Sequence, residues 1–151
     1  MKRSLLSFTV AALIGPAVMA ADNAPSVIDL IDAGSNEILI SVGAGGITFD
    51  GTNKIEFKIT HSDDGTTFTP VAQADVIING DAANLIVDAS TGNVLALTTA
   101  HAAADVNRVS YVGAKRYIKV LVDFSGTHGS GTPINVLLVQ HRLHLAGKTP
   151  V

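Results

Sequence analysis

Histidine and aspartate are the side chains of this sequence whose spacing could support metal chemistry. His141 and His144 form a His-x-x-His pair, to which His101 and His128 could add further imidazoles. Zinc sites usually complete such a pair with cysteine thiolates or a carboxylate. The sequence contains no cysteine, and the pair lies where no regular pattern is evident. We therefore interpret these histidines as solvated or interfacial side chains and expect no metal site.

A second candidate metal site is the segment 63–67, which reads Asp-Asp-Gly-Thr-Thr. Calcium loops supply six or more oxygen ligands at regular spacing and end in a distant bidentate glutamate. The segment has neither feature. Aspartate before glycine is typical of a tight turn, in which the carboxylate accepts hydrogen bonds from nearby backbone N–H groups. The sequence therefore predicts a type I turn here.

Motifs for phosphate binding and nucleophilic catalysis are also missing. The run Gly43-Ala44-Gly45-Gly46 lacks the Lys-Ser/Thr of a phosphate-binding loop, and no helical pattern follows it. No Gly-x-Ser-x-Gly elbow occurs, and no Ser, His and Asp fall at triad-like positions. A net charge of −3 provides no basic field for nucleic acid. We expect no enzyme activity, no cofactor and no nucleic-acid partner.

The remainder of the chain is dominated by alternating apolar and polar residues. In Lys54 to His61, the apolar side chains of Ile55, Phe57 and Ile59 alternate with charged or polar ones. This alternation is typical of an antiparallel strand with one buried face. Similar short runs recur about every ten residues between turn signals. The segment 98–105 could form one helical turn.

These patterns predict a single all-β domain, an antiparallel β-sandwich of jelly-roll-like type with an extended apolar N-terminal arm. Hydrophobic residues make up 47% of the 151-residue chain, which is enough for one core but too short for two domains. We place the arm at residues 1–26, the sandwich at 27–145 and a C-terminal tail at 146–151.

The first twenty residues permit two interpretations. Lys2-Arg3, the apolar run 5–14 and Val18-Met19-Ala20 together have the form of a secretory signal. A transmembrane segment is excluded, because Gly15-Pro16 interrupts a run that is already too short. Apolar residues continue past the supposed cleavage point, through 27–31, as they would in a buried arm. We expect the segment to be retained, whereas its cleavage would favour an exported bacterial β-sandwich that binds glycans or serves at the cell surface.

The order of several segments resembles a family of small proteins encoded by tailed phages and prophages, commonly beside the major capsid protein. These segments are Ala11 to Val18, Ile28-Asp29-Leu30, Gly46-Ile47-Thr48, Lys54 to Phe68, Tyr111 to Val120, and Val139 to His144 with the final Pro150-Val151. Family members usually carry a proline inside the His-rich stretch, whereas this chain reads His141-Arg142-Leu143-His144. The family's tail conformation is therefore not carried over.

The resemblance implies a virion structural protein. It would be a capsid decoration or cement subunit on the capsid surface, assembled in the host cytoplasm, that stabilises the mature head by bridging capsomers. Its partners would be the major capsid protein and further copies of itself, without membrane or nucleic acid. We expect a homotrimer, because three-fold positions between capsomers are natural bridging points. The alternatives are a head–tail connection or tail component, or a secreted or periplasmic protein.

Two segments are candidates for the contacts. The apolar side chains of the arm lack a sufficient partner within one small sandwich, so the arm is predicted to bridge to a groove or sheet edge of a neighbour. Lys115-Arg116 forms either a solvated hairpin turn or a contact to an acidic patch on a neighbour. The predicted interface residues are Leu5, Leu6, Phe8, Val10, Leu13, Ile14, Lys115, Arg116 and Tyr117.

Overall fold

Two antiparallel β-sheets face each other across one apolar core. The computed structural model describes residues 6–31, 33–80 and 86–143, with the backbone alone at residues 6, 7, 142 and 143. The predicted all-β sandwich is confirmed. Among the predicted sites, Leu5 and His144 lie outside the described residues, as does the tail at 146–151.

The strands follow the chain with one short helical interruption. They are β1 (Leu6–Met19), β2 (Ile28–Asp29), β3 (Ser35–Val42), β4 (Lys54–Ser62), β5 (Thr69–Pro70), β6 (Val76–Ile78), β7 (Asn93–Leu97), β8 (Asp105–Tyr111), β9 (Tyr117–Ser125) and β10 (Thr132–Leu143). A 3-10 helix at Gln73–Asp75 precedes β6. The helical turn considered for 98–105 was wrong, because residues 98–104 are irregular and β8 begins at Asp105.

The strand order places the first and last described strands side by side. The first sheet runs β1-β10-β3-β8-β6, and the second runs β2-β9-β4-β5, with β7 also paired to β4. The core lies between the sheets, where Ile55, Phe57 and Ile59 of β4 face Ile38 and Ile40 of β3, all fully buried. Each such side chain contributes about 1.5–3 kcal/mol when it is removed from water. The alternation read from the sequence is therefore the burial pattern of the fold.

The predicted arm supplies β1, the edge strand of the first sheet. Its backbone pairs with β10 of the same chain from Leu6 opposite Leu143 to Met19 opposite Thr132. The register shifts after Ala12 and again after Ile14, so two bulges interrupt the strand. The arm therefore has a backbone partner within its own domain.

The free edge of β9 is closed by side chains of the segment that follows β1. Beyond the short β2 pairing, the Asn23 amide donates to the Val120 carbonyl at 3.1 Å and accepts from the Val122 N–H at 2.7 Å. Asp22 then accepts from the Phe124 N–H at 2.7 Å. Two side chains thus take the place of a neighbouring strand. This closure removes a template for unwanted strand pairing.

The Asn23 closure gives a stability prediction. Asn23→Ala leaves the Val120 carbonyl and the Val122 N–H without these partners, which should lower the free energy of unfolding by about 1–3 kcal/mol. Urea denaturation measures the change. Ser26→Ala, at an exposed position of the same connection, is the matched control and should stay near wild type. Equal stability of the two variants would contradict the role given to Asn23.

Candidate interaction surface

The outward side of the first sheet is apolar where β1, β10 and β3 adjoin. Six apolar side chains lie on this side, and we call them the apolar face: Phe8, Val10, Ala12, Leu39, Leu137 and Val139. Their register also places His141 opposite Phe8 and Glu37 opposite Val139. Phe8 and Val10 are 62% and 53% exposed. Val18 and Val106, also on the outward side of this sheet, are 65% and 64% exposed. Clustered exposed apolar side chains make this side a candidate interaction surface.

The outward side of the second sheet has the opposite character. The Lys58 ammonium contacts the carboxylates of Asp123 and Glu56, and Lys54 approaches Glu56 at 2.8 Å. Partial burial lowers the pKa of Lys58, but its hydrogen bonds to Asp123 and Glu56 outweigh that effect and raise the pKa above its ordinary value. Paired charges of this kind keep a surface hydrated. The outward side of the second sheet is therefore charged. The outward side of the first sheet is apolar at β1 and β10 and carries the Arg108–Glu37 pair, at 3.9 Å, on β8 and β3.

The outer edge of β1 is also the longest open edge among the described strands. Across the 14 residues of β1 there is no charged side chain, and within the described ranges no strand pairs with its outer side. Proteins usually guard such an edge with lysine, proline or a bulge. In β1 that protection is confined to the second half, around Pro16 and the two bulges. The regular first half, Leu6 to Ala12, is open.

The predicted interface residues of the arm fall into two groups. Phe8 and Val10 are exposed on the apolar face, whereas Leu13 and Ile14 are partly buried against the core. Only the backbone of Leu6 is described. The Phe8 ring meets the His141 ring of β10, at 6.2 Å between centroids. The expectation that the apolar side chains of the arm lack a sufficient partner within the sandwich stays a prediction for Phe8 and Val10 and was wrong for Leu13 and Ile14.

Lys115-Arg116 does not form a hairpin turn, and this part of the sequence interpretation was wrong. The flanking strands β8 and β9 lie in different sheets, so the connection crosses the end of the sandwich. The Arg116 guanidinium forms a bidentate pair with Asp29, at 2.9 and 2.7 Å, and lies over the Tyr117 ring. The Lys115 ammonium donates to the Thr69 hydroxyl at 2.9 Å. Both cations thus have partners that join this connection to the second sheet.

Two of the candidate metal ligands, Asp64 and His128, are hydrogen-bonded to neighbouring residues of the chain. Backbone N–H groups of Thr67 and Thr66 and the Ser62 hydroxyl donate to Asp64, and they hold the pKa of its carboxyl far below the usual range. The carboxylate thus accepts hydrogen bonds from backbone N–H groups as the sequence predicted, while the type I conformation stays a prediction. His128 is buried, with Nε2 at 2.8 Å from the Ser125 carbonyl oxygen and its ring edge-on to Phe124. The described part of the chain holds no cluster of three or more His, Cys, Asp or Glu.

The glycine run at 43–46 is a packed turn. Gly45 donates its N–H to the His101 carbonyl at 2.7 Å. A Cβ at Gly46 would overlap the Gly131 carbonyl, so this position requires the close approach that glycine permits. The run therefore contacts the loops around His101 and Gly131 at one end of the sandwich.

A buried His–Tyr pair joins the two sheets at the opposite end. His61 of β4 and Tyr111 of β8 are hydrogen-bonded at 3.0 Å between Nδ1 and the phenol oxygen, with their rings edge to face. The Tyr111 oxygen also accepts from the Lys115 N–H at 3.2 Å, and the Asp75 carboxylate lies 3.9 Å from His61 Nε2. Burial is the main cause that lowers the pKa of His61, opposed by Asp75 and reinforced by Lys115.

Sequence reasoning missed half of the apolar face. Leu137 and Val139 belong to an uninterrupted apolar run, Val136 to Val139, of which Val136 and Leu138 enter the core. A strand that is apolar on both sides normally has both sides covered. That continuous run is the signal that could have identified an apolar outward side of β10.

Comparison with known proteins adds no family to these observations. No protein-family model, curated protein or solved structure matches the chain. Across residues 6–31, 33–80 and 86–143, no helix combines the length and hydropathy needed to cross a membrane.

The His61 surroundings predict a pH-dependent stability. The folded-state pKa of His61 lies below the ordinary histidine value of 6.5. The contribution of neutral His61 to the free energy of unfolding is therefore fully present above pH 6.5. It is lost as the pH falls towards the folded-state pKa, since the unfolded chain takes up the proton first. Urea unfolding at several pH values between about 7.5 and 5 should show this loss.

Two variants isolate the effect. His61→Gln removes the titrating group and should flatten that part of the profile. Tyr111→Phe keeps the buried imidazole and should retain the pH dependence, although it is less stable overall because a hydrogen bond is lost. Identical pH profiles for wild type and His61→Gln would show that His61 is not responsible.

Proposed function

We propose that this chain is a virion structural protein, a decoration or cement subunit that binds the capsid of a tailed phage through the apolar face. The observation that carries the proposal is the contrast between the two outward faces. Paired charges hydrate one of them, while the other exposes Phe8 and Val10 beside further apolar side chains. The phage assignment rests on the family resemblance of the sequence segments.

A cement subunit acts by binding the mature lattice in preference to the separated capsomers. Any ligand that binds one state alone stabilises that state by its own binding free energy. An apolar face suits this task, because burying apolar area is favourable without requiring matched charges on the partner. Across a joint between capsomers, the same contact opposes the outward pressure of the genome.

Retention of the N-terminal segment is part of the proposal. Removal of residues up to 20 or 21 would take away β1 and leave the long strand β10 as the unpaired edge of the first sheet. It would also remove Phe8 and Val10 from the apolar face. The extensive β1–β10 pairing thus supports a mature protein that keeps its N terminus, and it weighs against the exported alternative.

Virion occupancy tests the proposal directly. Phage carrying Leu137→Glu, which places a charge within the apolar face, should incorporate at least about tenfold less of this chain, because an unpaired carboxylate would be buried in the contact. Purified virions are separated on a gel, and band intensities are measured against the major capsid protein.

A matched variant exists on the opposite side of the sandwich. Leu121→Glu makes the same change at an outward, partly exposed position of β9 and should leave incorporation unchanged. Thermal unfolding of both purified variants establishes that each is folded. Absence of the chain from virions, a mature N terminus near residue 21, or equal incorporation of both variants would reject the proposal. A copy number near six or twelve per particle would instead indicate a connector or tail component.

A further inference from the structure

The open edge of β1 is complementary to itself. Its regular part, before the first bulge, runs from Leu6 to Ala12, and the middle residue of these seven is Thr9. If two copies pair antiparallel about a two-fold axis at Thr9, Thr9 lies opposite Thr9 and Phe8 lies opposite Val10. Threonine–threonine and aromatic–β-branched pairs are both favourable between neighbouring strands. No position in the segment places like charges opposite each other.

Pro16 and the two bulges restrict which strand can pair with the open edge of β1. Pro16 and the bulges interrupt the outer edge of β1 in its second half, so a further strand could pair there only along the first half. An isologous two-fold contact closes on itself after two copies. A charge-free edge that paired without closure would build open aggregates. A second copy would therefore pair with the open backbone groups of β1 and leave no such edge for a third copy.

We propose that two copies of this chain pair through β1, with Thr9 on the two-fold axis, to form one continuous ten-stranded sheet. The axis is perpendicular to the sheet, so the apolar faces of both copies lie on the same side. The pair doubles the area available for the capsid contact, and in that respect it rests on the proposed function. Two linked sites also bind a lattice more tightly than two separate ones.

This inference replaces the homotrimer expected from the sequence. A trimer would join subunits by heterologous contacts between two different surfaces. The β1 edge offers a single surface that matches itself, and Thr9 within it is exposed. The backbone edge serves the second copy, and the apolar face serves the capsid.

Charge exchange at Thr9 tests the two-fold register. Sedimentation equilibrium of the full chain should give twice the chain mass of 15.5 kDa. Thr9→Lys and Thr9→Asp each place like charges opposite each other, so each alone should raise the dimer dissociation constant at least about tenfold. An equal mixture should regain association, because Lys then lies opposite Asp. Thr67→Lys, at an exposed position of the second sheet's hairpin, should remain dimeric.

Each alternative result has a defined meaning. A monomeric or trimeric wild-type protein overturns the inference, as does a Thr9→Lys variant that stays dimeric. A mixture that remains monomeric excludes Thr9 as the self-opposed position and overturns the proposed pairing. A protein that dimerises as described but is absent from virions rejects the proposed function and leaves the pairing intact, so the two failures are distinguishable.

Discussion

The pairing of β1 with β10 is the constraint on which the other features of this sandwich depend. It completes the first sheet, positions Phe8 and Val10 beside Leu137 and Val139, and leaves one outer edge of β1 open. Without it the N-terminal segment would be an apolar peptide with no fixed orientation. With it, the same residues become a defined surface, because each side chain is held at a known register on a rigid sheet.

The two sheets differ in how their exposed edges and outward side chains are paired. On the second sheet, Lys58 lies among carboxylates, and Asn23 closes the edge of β9 with its side-chain amide. The first sheet has no corresponding protection along the regular part of β1. Natural sheets guard edges that must remain solitary. The edge of β9 is therefore closed by side chains, whereas the regular part of the β1 edge is open.

The sequence predicted the local features of this fold better than its long-range ones. The alternation around Phe57 identified β4 and its buried face, because period-two burial is a local property. The β1–β10 partnership was not predictable, since nothing local specifies pairing between opposite ends of a chain. Neither was the role of Asn23, because a side-chain closure depends on where another strand's edge lies.

The error at Lys115-Arg116 has a similar origin. Strands that are adjacent in sequence usually pair, so a hairpin was the natural expectation. Here the connection passes from one sheet to the other, and Arg116 meets Asp29 of a distant segment. The apolar face was half predicted, since Phe8 and Val10 stood in an evident apolar arm. Leu137 was hidden within a continuous apolar run.

Joining the first strand to the last has a consequence for biosynthesis. Because β10 is translated near the end of the chain, the ribosome must release almost the whole polypeptide before β1 can find its place in the sheet. Such non-local topology folds slowly, and unpaired apolar strands attract aggregation in the meantime. The apolar residues of β1 therefore stay unpaired for longer than those of any other described strand.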